Sequence, residues 1–303
     1  MEGALLVIDP GGLEKFDSPA FFKSEAGNNL LELIRQRGEL EKDAAAFWKQ
    51  LGVERKILHP GTEETLALLI PETGPEPRAV VVCFRDHGEE LAQAELYGFA
   101  HIACRAGVVT VCPQTASTEN IPKVVEELKR QLVCADLSRV YAFGFGEGGA
   151  AALQCALEYP ELMAGVAAAP GPGALEKLDW SRLSERFATS SVSVPVMLIG
   201  GTEDAAERFP LRDEGRESLD RLIQNVAKAV PASASPGAST VEQYLGMEVG
   251  RGYYAYVEGT YWYVGDFCDA QDHCVVRLMQ GIGLPHVCTA SFAPLIYNFW
   301  EGR

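Results

Sequence analysis

Arg139-Val-Tyr-Ala-Phe-Gly144-Phe-Gly146-Glu-Gly148-Gly149-Ala-Ala-Ala-Leu153 decides how this chain is read. It opens as a β-branched and aromatic run, the composition of a buried strand. Four glycines in six positions then allow a tight reversal, and an alanine-rich helical segment follows. A strand that turns sharply into a helix places the middle of its turn at the edge of a sheet, where chemistry can be mounted. Here the middle residue is Gly146, which carries no side chain.

The neighbouring segments extend the same alternation. Ala79-Val-Val-Val-Cys-Phe84, Gly107-Val-Val-Thr-Val-Cys112, residues 164–169 and residues 194–199 read as strands covered on both faces, because they are apolar throughout. Helical patterns at 89–105, 121–133, 149–158 and 217–230 separate them, with Val124, Val125, Leu128 and Leu132 on one face of the second. This βα repetition predicts an α/β fold with a mostly parallel, doubly wound sheet. Residues 52–59 and 65–70 read as an antiparallel hairpin leading into it. Residues 253–257, 261–264 and 274–279 add strands, and 290–300 reads as a closing helix. Two helical stretches before residue 52 suggest a helical extension over 1–52, packed on a main domain over 53–303.

Composition narrows the function. In 303 residues, 47% hydrophobic and 22% charged, a sizeable core is expected. A net charge of −16 with no Lys/Arg-rich stripe argues against nucleic acid as a partner. No apolar run approaches the ~20 residues of a membrane span, and the first residues lack a basic, cleavable leader, so no membrane partner and a cytoplasmic location are expected. Of eight cysteines, Cys83 and Cys112 sit in strand-like runs and Cys134 and Cys155 on helical patterns, and no pair has CxxC spacing, so they are expected to be reduced and no metal site is expected. Asp266, Asp269, Asp272 and His273 read as an acidic hairpin turn rather than a cation site. Tyr253, Tyr254, Tyr261, Trp262 and Tyr263 read as sheet packing, with a sugar or aromatic-acyl pocket as the alternative.

Three pieces point to chemistry. Gly144-x-Gly146-x-Gly148 has the spacing of the nucleophile elbow G-x-S-x-G, with glycine at the serine position. The same letters fit the dinucleotide fingerprint, but they follow several βα units instead of opening the first, and Glu147 would repel phosphate; no cofactor is expected. Val194-Pro-Val-Met-Leu-Ile-Gly-Gly-Thr-Glu-Asp204 ends a strand on an acid, and Gly283-Leu-Pro-His286 ends a later strand's loop on an imidazole. The order elbow, acid, histidine is that of a Ser…Asp…His triad on an α/β sheet.

With Asp136-Leu-Ser-Arg-Val-Tyr before the elbow, Tyr159-Pro-Glu-Leu-Met-Ala-Gly165 after it, Gly201-Thr-Glu-Asp204 and Gly283-Leu-Pro-His286, the chain resembles the α/β-hydrolase esterases grouped with polyhydroxybutyrate depolymerases and feruloyl esterases, over about residues 45–300. The resemblance implies the α/β-hydrolase fold, Asp204 as triad acid, His286 as base and a small-molecule ester or related ligand. It also implies position 146 as the nucleophile, and there the match fails. A second departure lies after the first buried strand, where the family has His-Gly directly and this chain has Phe84-Arg85-Asp86-His87-Gly88. Asp86 opposes a developing oxyanion. Phe84, Arg85, Asp86, His87 and Glu147 are the expected ligand-contacting residues.

Glycine cannot form an acyl-enzyme. Three readings follow: a non-catalytic relative that binds a ligand through the old pocket, an esterase inactivated by substitution at position 146, or a hydrolase in which His286 activates water. The altered Phe84–Gly88 turn favours the first. Nothing in the sequence decides whether the chain forms homo-oligomers.

Overall fold

The computed structural model describes residues 48–59, 65–72, 78–84, 94, 97–115, 117–132, 134–170, 178–179, 194–204, 219–220, 222–223, 245, 249–257, 260–269, 271–288 and 292–301. Of the expected extension over 1–52, residues 1–47 lie outside this set, as do most of the expected helix at 217–230 and the residues 85–88.

Ten strands form one sheet among the described residues: β1 (Val53–Leu58), β2 (Leu66–Pro71), β3 (Arg78–Phe84), β4 (Val109–Pro113), β5 (Ala135–Gly146), β6 (Gly165–Pro170), β7 (Val196–Gly201), β8 (Arg251–Val257), β9 (Thr260–Cys268) and β10 (Cys274–Gly281). Their spatial order is β1-β2-β4-β3-β5-β6-β7-β10-β9-β8. The six central strands, β4 to β10 in that order, are mutually parallel. Antiparallel strands flank them on both sides: β1 and β2 at one edge, as the hairpin signal predicted, and β9 and β8 at the other.

Why these segments become strands is visible in their alternation. Val80, Val82 and Phe84 of β3 join one buried cluster, while Ala79, Val81 and Cys83 join the other. β5 splits the same way, Val140 and Ala142 against Tyr141 and Phe143. Each apolar run therefore feeds two cores at once, which an amphipathic strand cannot do. Helices α2 (Ile121–Gln131) and α3 (Glu147–Glu158) cover the first face, and α1 (Phe99–Ala106) and α4 (Phe292–Glu301) cover the second. The stripe Val124, Val125, Leu128 and Leu132 is buried as expected.

Several boundaries differ from the sequence reading for physical reasons. Within the 89–105 segment Ala94 is helical, but a turn at Tyr97 and Gly98, with Gly98 at φ 91°, precedes α1. Because α2 ends at Gln131, Cys134 lies in the turn before β5 and not on a helix. β5 runs on through the glycines to position 146, because Gly144, Phe145 and Gly146 keep pairing with Ala168, Ala169 and Pro170 of β6. Asp266 is not part of the acidic turn: it lies within β9, is 1% exposed, and receives Nε and Nη2 of Arg277 at 2.7 and 2.8 Å. The turn itself is organised by Asp269, whose carboxylate accepts the N–H groups of Gln271 and His273.

No described helix is long and apolar enough to cross a membrane. All eight cysteines are free. Of the aromatic cluster, Trp262 and Tyr263 are core residues, whereas Tyr254 and Tyr261 are more than half exposed.

Candidate active site

The parallel strands all present their carboxyl ends on one edge of the sheet, and that edge carries the three expected positions. Gly146 ends β5 and begins the turn into α3 with φ 58° and ψ −122°. Those torsions fall outside the regions an L-residue uses readily. The turn is crowded as well as strained. A Cβ on Gly144 would lie 1.9 Å from the carbonyl oxygen of Gly148, so the first turn of α3 presses directly on the end of β5. The turn has the backbone form of a nucleophile elbow, with a glycine at its apex.

Asp204 follows β7 by a short turn. Its own N–H donates to the Gly201 carbonyl at 3.2 Å, and the Gly201 N–H donates back to Oδ2 at 3.3 Å. The turn is clamped to the loop after β10. Glu203 N–H donates to Leu284 O at 3.0 Å, and Gly283 N–H donates to the Thr202 hydroxyl at 2.8 Å. A Cβ on Gly201 would lie 1.8 Å from Leu284 O, so only glycine admits this approach.

The clamp brings His286 to Asp204. Nδ1 lies 3.2 Å from Oδ2 in hydrogen-bonding geometry, and Oδ1 stands at 3.2 Å as well. The carboxylate is 2% exposed and the imidazole 13%. With Nδ1–H donating to the carboxylate, the other ring nitrogen, Nε2, is the proton acceptor, as in an acid–histidine pair. The sequence reading missed one partner: Phe145 stacks on the imidazole with ring centroids 4.5 Å apart and planes 24° from parallel. Phe145 sits between the two elbow glycines, so strand alternation aims it at the same side as Phe143, and Tyr97 packs against both rings. Leu284, Val287, Ile199 and Phe292 line a tight crevice beside the pair.

The other expected residues are distributed differently. Phe84 ends β3 at the same edge, but its side chain is fully buried in the core. Its contribution to a site is therefore its backbone position and not ring contact. Glu147 is exposed on the first turn of α3, where a carboxylate favours the helix dipole. Arg85, Asp86 and His87 lie outside the described residues. Among the described residues no group of three His, Cys, Asp or Glu side chains is placed to hold a metal ion.

This architecture has relatives. The structure of an acetyl xylan esterase from Aspergillus awamori superposes with a TM-score of 0.60 at 12% identity, covering 82% of this chain and 99% of that one. The chain has the α/β-hydrolase fold. A phospholipase/carboxylesterase family model matches residues 114–243, a span that contains the elbow and Asp204 and stops before His286. An S-formylglutathione hydrolase from Agrobacterium tumefaciens is also similar, with a TM-score of 0.46 at 17% identity over 83% of this chain and 94% of that one. No curated protein sequence matches. On this hydrolase scaffold the acid and the histidine occupy one corner, the elbow the adjacent one, and the elbow presents a glycine.

Proposed function

We propose that this protein is an esterase-like hydrolase relative that holds a small ester or acyl ligand beside His286 without forming an acyl-enzyme. The observation that carries this reading is Gly146, a residue with no oxygen or sulfur at the one position from which an attacking atom would project. Among the motifs, those shared with polyhydroxybutyrate depolymerases and feruloyl esterases favour a carboxylic ester as the ligand class. The absence of a disulfide among eight cysteines favours a reducing, cytoplasmic setting.

One observation favours a second reading. The Asp204–His286 contact is kept at 3.2 Å, although it serves no covalent step. Such a pair can activate water directly, and frameworks stripped of part of their triad retain roughly 10³–10⁴ over the uncatalysed rate.

Hydrolysis of p-nitrophenyl acetate separates these readings, with fluorophosphonate labelling as a second readout. The proposal expects no label, no burst and background turnover, and it expects Gly146→Ser to remain inactive because the Phe84–Gly88 segment departs from the family form. Turnover by the natural sequence that disappears in His286→Ala establishes the water-activating reading. Robust turnover and labelling in Gly146→Ser overturns the proposal and makes the glycine a single lesion in a working esterase.

A further inference from the structure

We propose that Cys268 and Cys274 form a redox-active pair that closes reversibly into a cross-strand disulfide at the β9–β10 turn. The two residues are direct partners in the antiparallel register of these strands. The next pair toward the turn is joined by a backbone hydrogen bond from Asp269 N–H to His273 O at 2.9 Å. Alternation then makes 268 and 274 a non-hydrogen-bonded pair, the kind with Cα atoms ~4.5 Å apart and side chains on one face closest together. That separation lies inside the range a disulfide spans, about 4.4–6.8 Å.

The turn keeps the two residues opposed, with the Cys274 thiol donating to the Val276 carbonyl at 3.5 Å until it rotates to close the bridge. Asp269 fixes it with two carboxylate-to-backbone hydrogen bonds of 2.9 Å each, and its other oxygen meets His273 Nδ1 at 3.3 Å. Asp272 adopts φ 64°, a left-handed conformation that tightens the reversal. On the strand side, beyond a bulge at Val275, Asp266 and Arg277 pair two steps further along the same ladder. Both residues are half-buried, whereas Cys83, Cys112 and Cys155 are buried.

The surroundings set the rate of closure. Burial, then the Asp266 carboxylate, pushes the Cys274 thiol up to about 12, against an opposing effect of Arg277, with Cys268 itself adding a little. Burial raises Cys268 too, with Asp266 and Asp272 adding to the rise and Arg251 opposing it. Both thiols are therefore protonated at neutral pH, and exchange is slow there because only the thiolate attacks.

The oxidant required is a small disulfide such as oxidised glutathione. The Cys268 thiolate attacks one of its sulfurs, that S–S bond breaks, and the first glutathione leaves and takes up a proton. The Cys274 thiolate then attacks the Cys268 sulfur of the mixed disulfide, and the second glutathione leaves and is protonated. Two cysteine thiols are oxidised by two electrons and one glutathione disulfide is reduced to two thiols. The bridge forms at the start of β10, about 23 Å from the strand's end at Gly281, so it pins the hairpin and leaves the Asp204–His286 corner as it is.

The full-length protein is incubated with oxidised glutathione at pH 8, alkylated under denaturing conditions and mapped by mass spectrometry. The expected result is a linked 268–274 peptide, two fewer alkylated thiols out of eight, and full reversal by dithiothreitol. The rate should rise about tenfold per pH unit between 7 and 9, following the thiolate fraction. Cys268→Ser should abolish the link, and Asp272→Asn, on a side chain 77% exposed, should accelerate it severalfold. Both cysteines still alkylated after prolonged exposure, Cys268 stranded as a glutathione adduct, or a bridge to any other cysteine would each overturn the proposal.

Discussion

Two corners of the same sheet edge make the informative comparison in this molecule. At the β5–α3 corner a strand turns sharply into a helix, with strained torsions at Gly146 and the pressure of Gly148 on Gly144, and the residue at the turn carries no side chain. At the β7–β10 corner both backbone and side chains are kept: Gly201 admits Leu284, and Asp204 holds His286. The difference shows that a strained turn and its chemistry are separable. The turn is held by the packing of a helix on a strand, which needs glycines and not a serine. The acid–histidine pair is held by hydrogen bonds between two loops, and those bonds also join β7 to β10.

The comparison can be broken in four ways. Gly201→Ala and Gly144→Ala each drive a Cβ to under 2 Å from a backbone oxygen. Urea unfolding should register a loss of about 3 kcal/mol or more for each. They should differ in one respect: only Gly201→Ala should displace the imidazole, seen as a shift of the His286 ring resonances. A Gly201→Ala protein of unchanged stability would mean that the two loops do not meet as closely as described.

Gly146→Ala should cost about 1–3 kcal/mol, the strain of placing a Cβ at this φ and ψ. A neutral result would show that the elbow has relaxed out of its strained form. Asp204→Asn should cost about 1 kcal/mol, because it weakens the bond to His286 while the amide oxygen can still accept from Gly201 N–H. Smallest of all, Phe145→Leu should cost about 0.5–1 kcal/mol, the value of a ring stack beyond its buried area. It should also broaden the His286 ring signals; sharp, unshifted signals would argue against the stack as the link between the two corners.

Much of the scaffold was legible from the sequence because a strand buried on both faces must be apolar at every position. Val80 to Phe84 and Val166 to Ala169 could hardly be anything else. The elbow was legible from its glycines, since few other patterns need four in six positions. Less legible were the strand ends. Gly144 to Gly146 look like a turn in isolation, yet they pair with β6 to the last residue. Asp266 looked like part of an acidic turn because its partner, Arg277, lies 11 positions away across a bulged ladder. Phe145 gave no signal beyond its place between two glycines, because the imidazole it stacks on comes from a loop far along the chain.

The sequence by itself determined that position 146 offers no nucleophile, since that is a matter of composition and no fold can supply the missing atom. It also determined which residues alternate between two cores, because side-chain direction along a strand has a fixed period. Only the tertiary structure decided that Asp204 and His286, 82 positions apart, lie within 3.2 Å, and that Cys268 faces Cys274 in a non-hydrogen-bonded pair. Local pattern sets the face of a strand. The order and register of the whole sheet, fixed by how its strands and covering helices pack, set which loops meet at its edge.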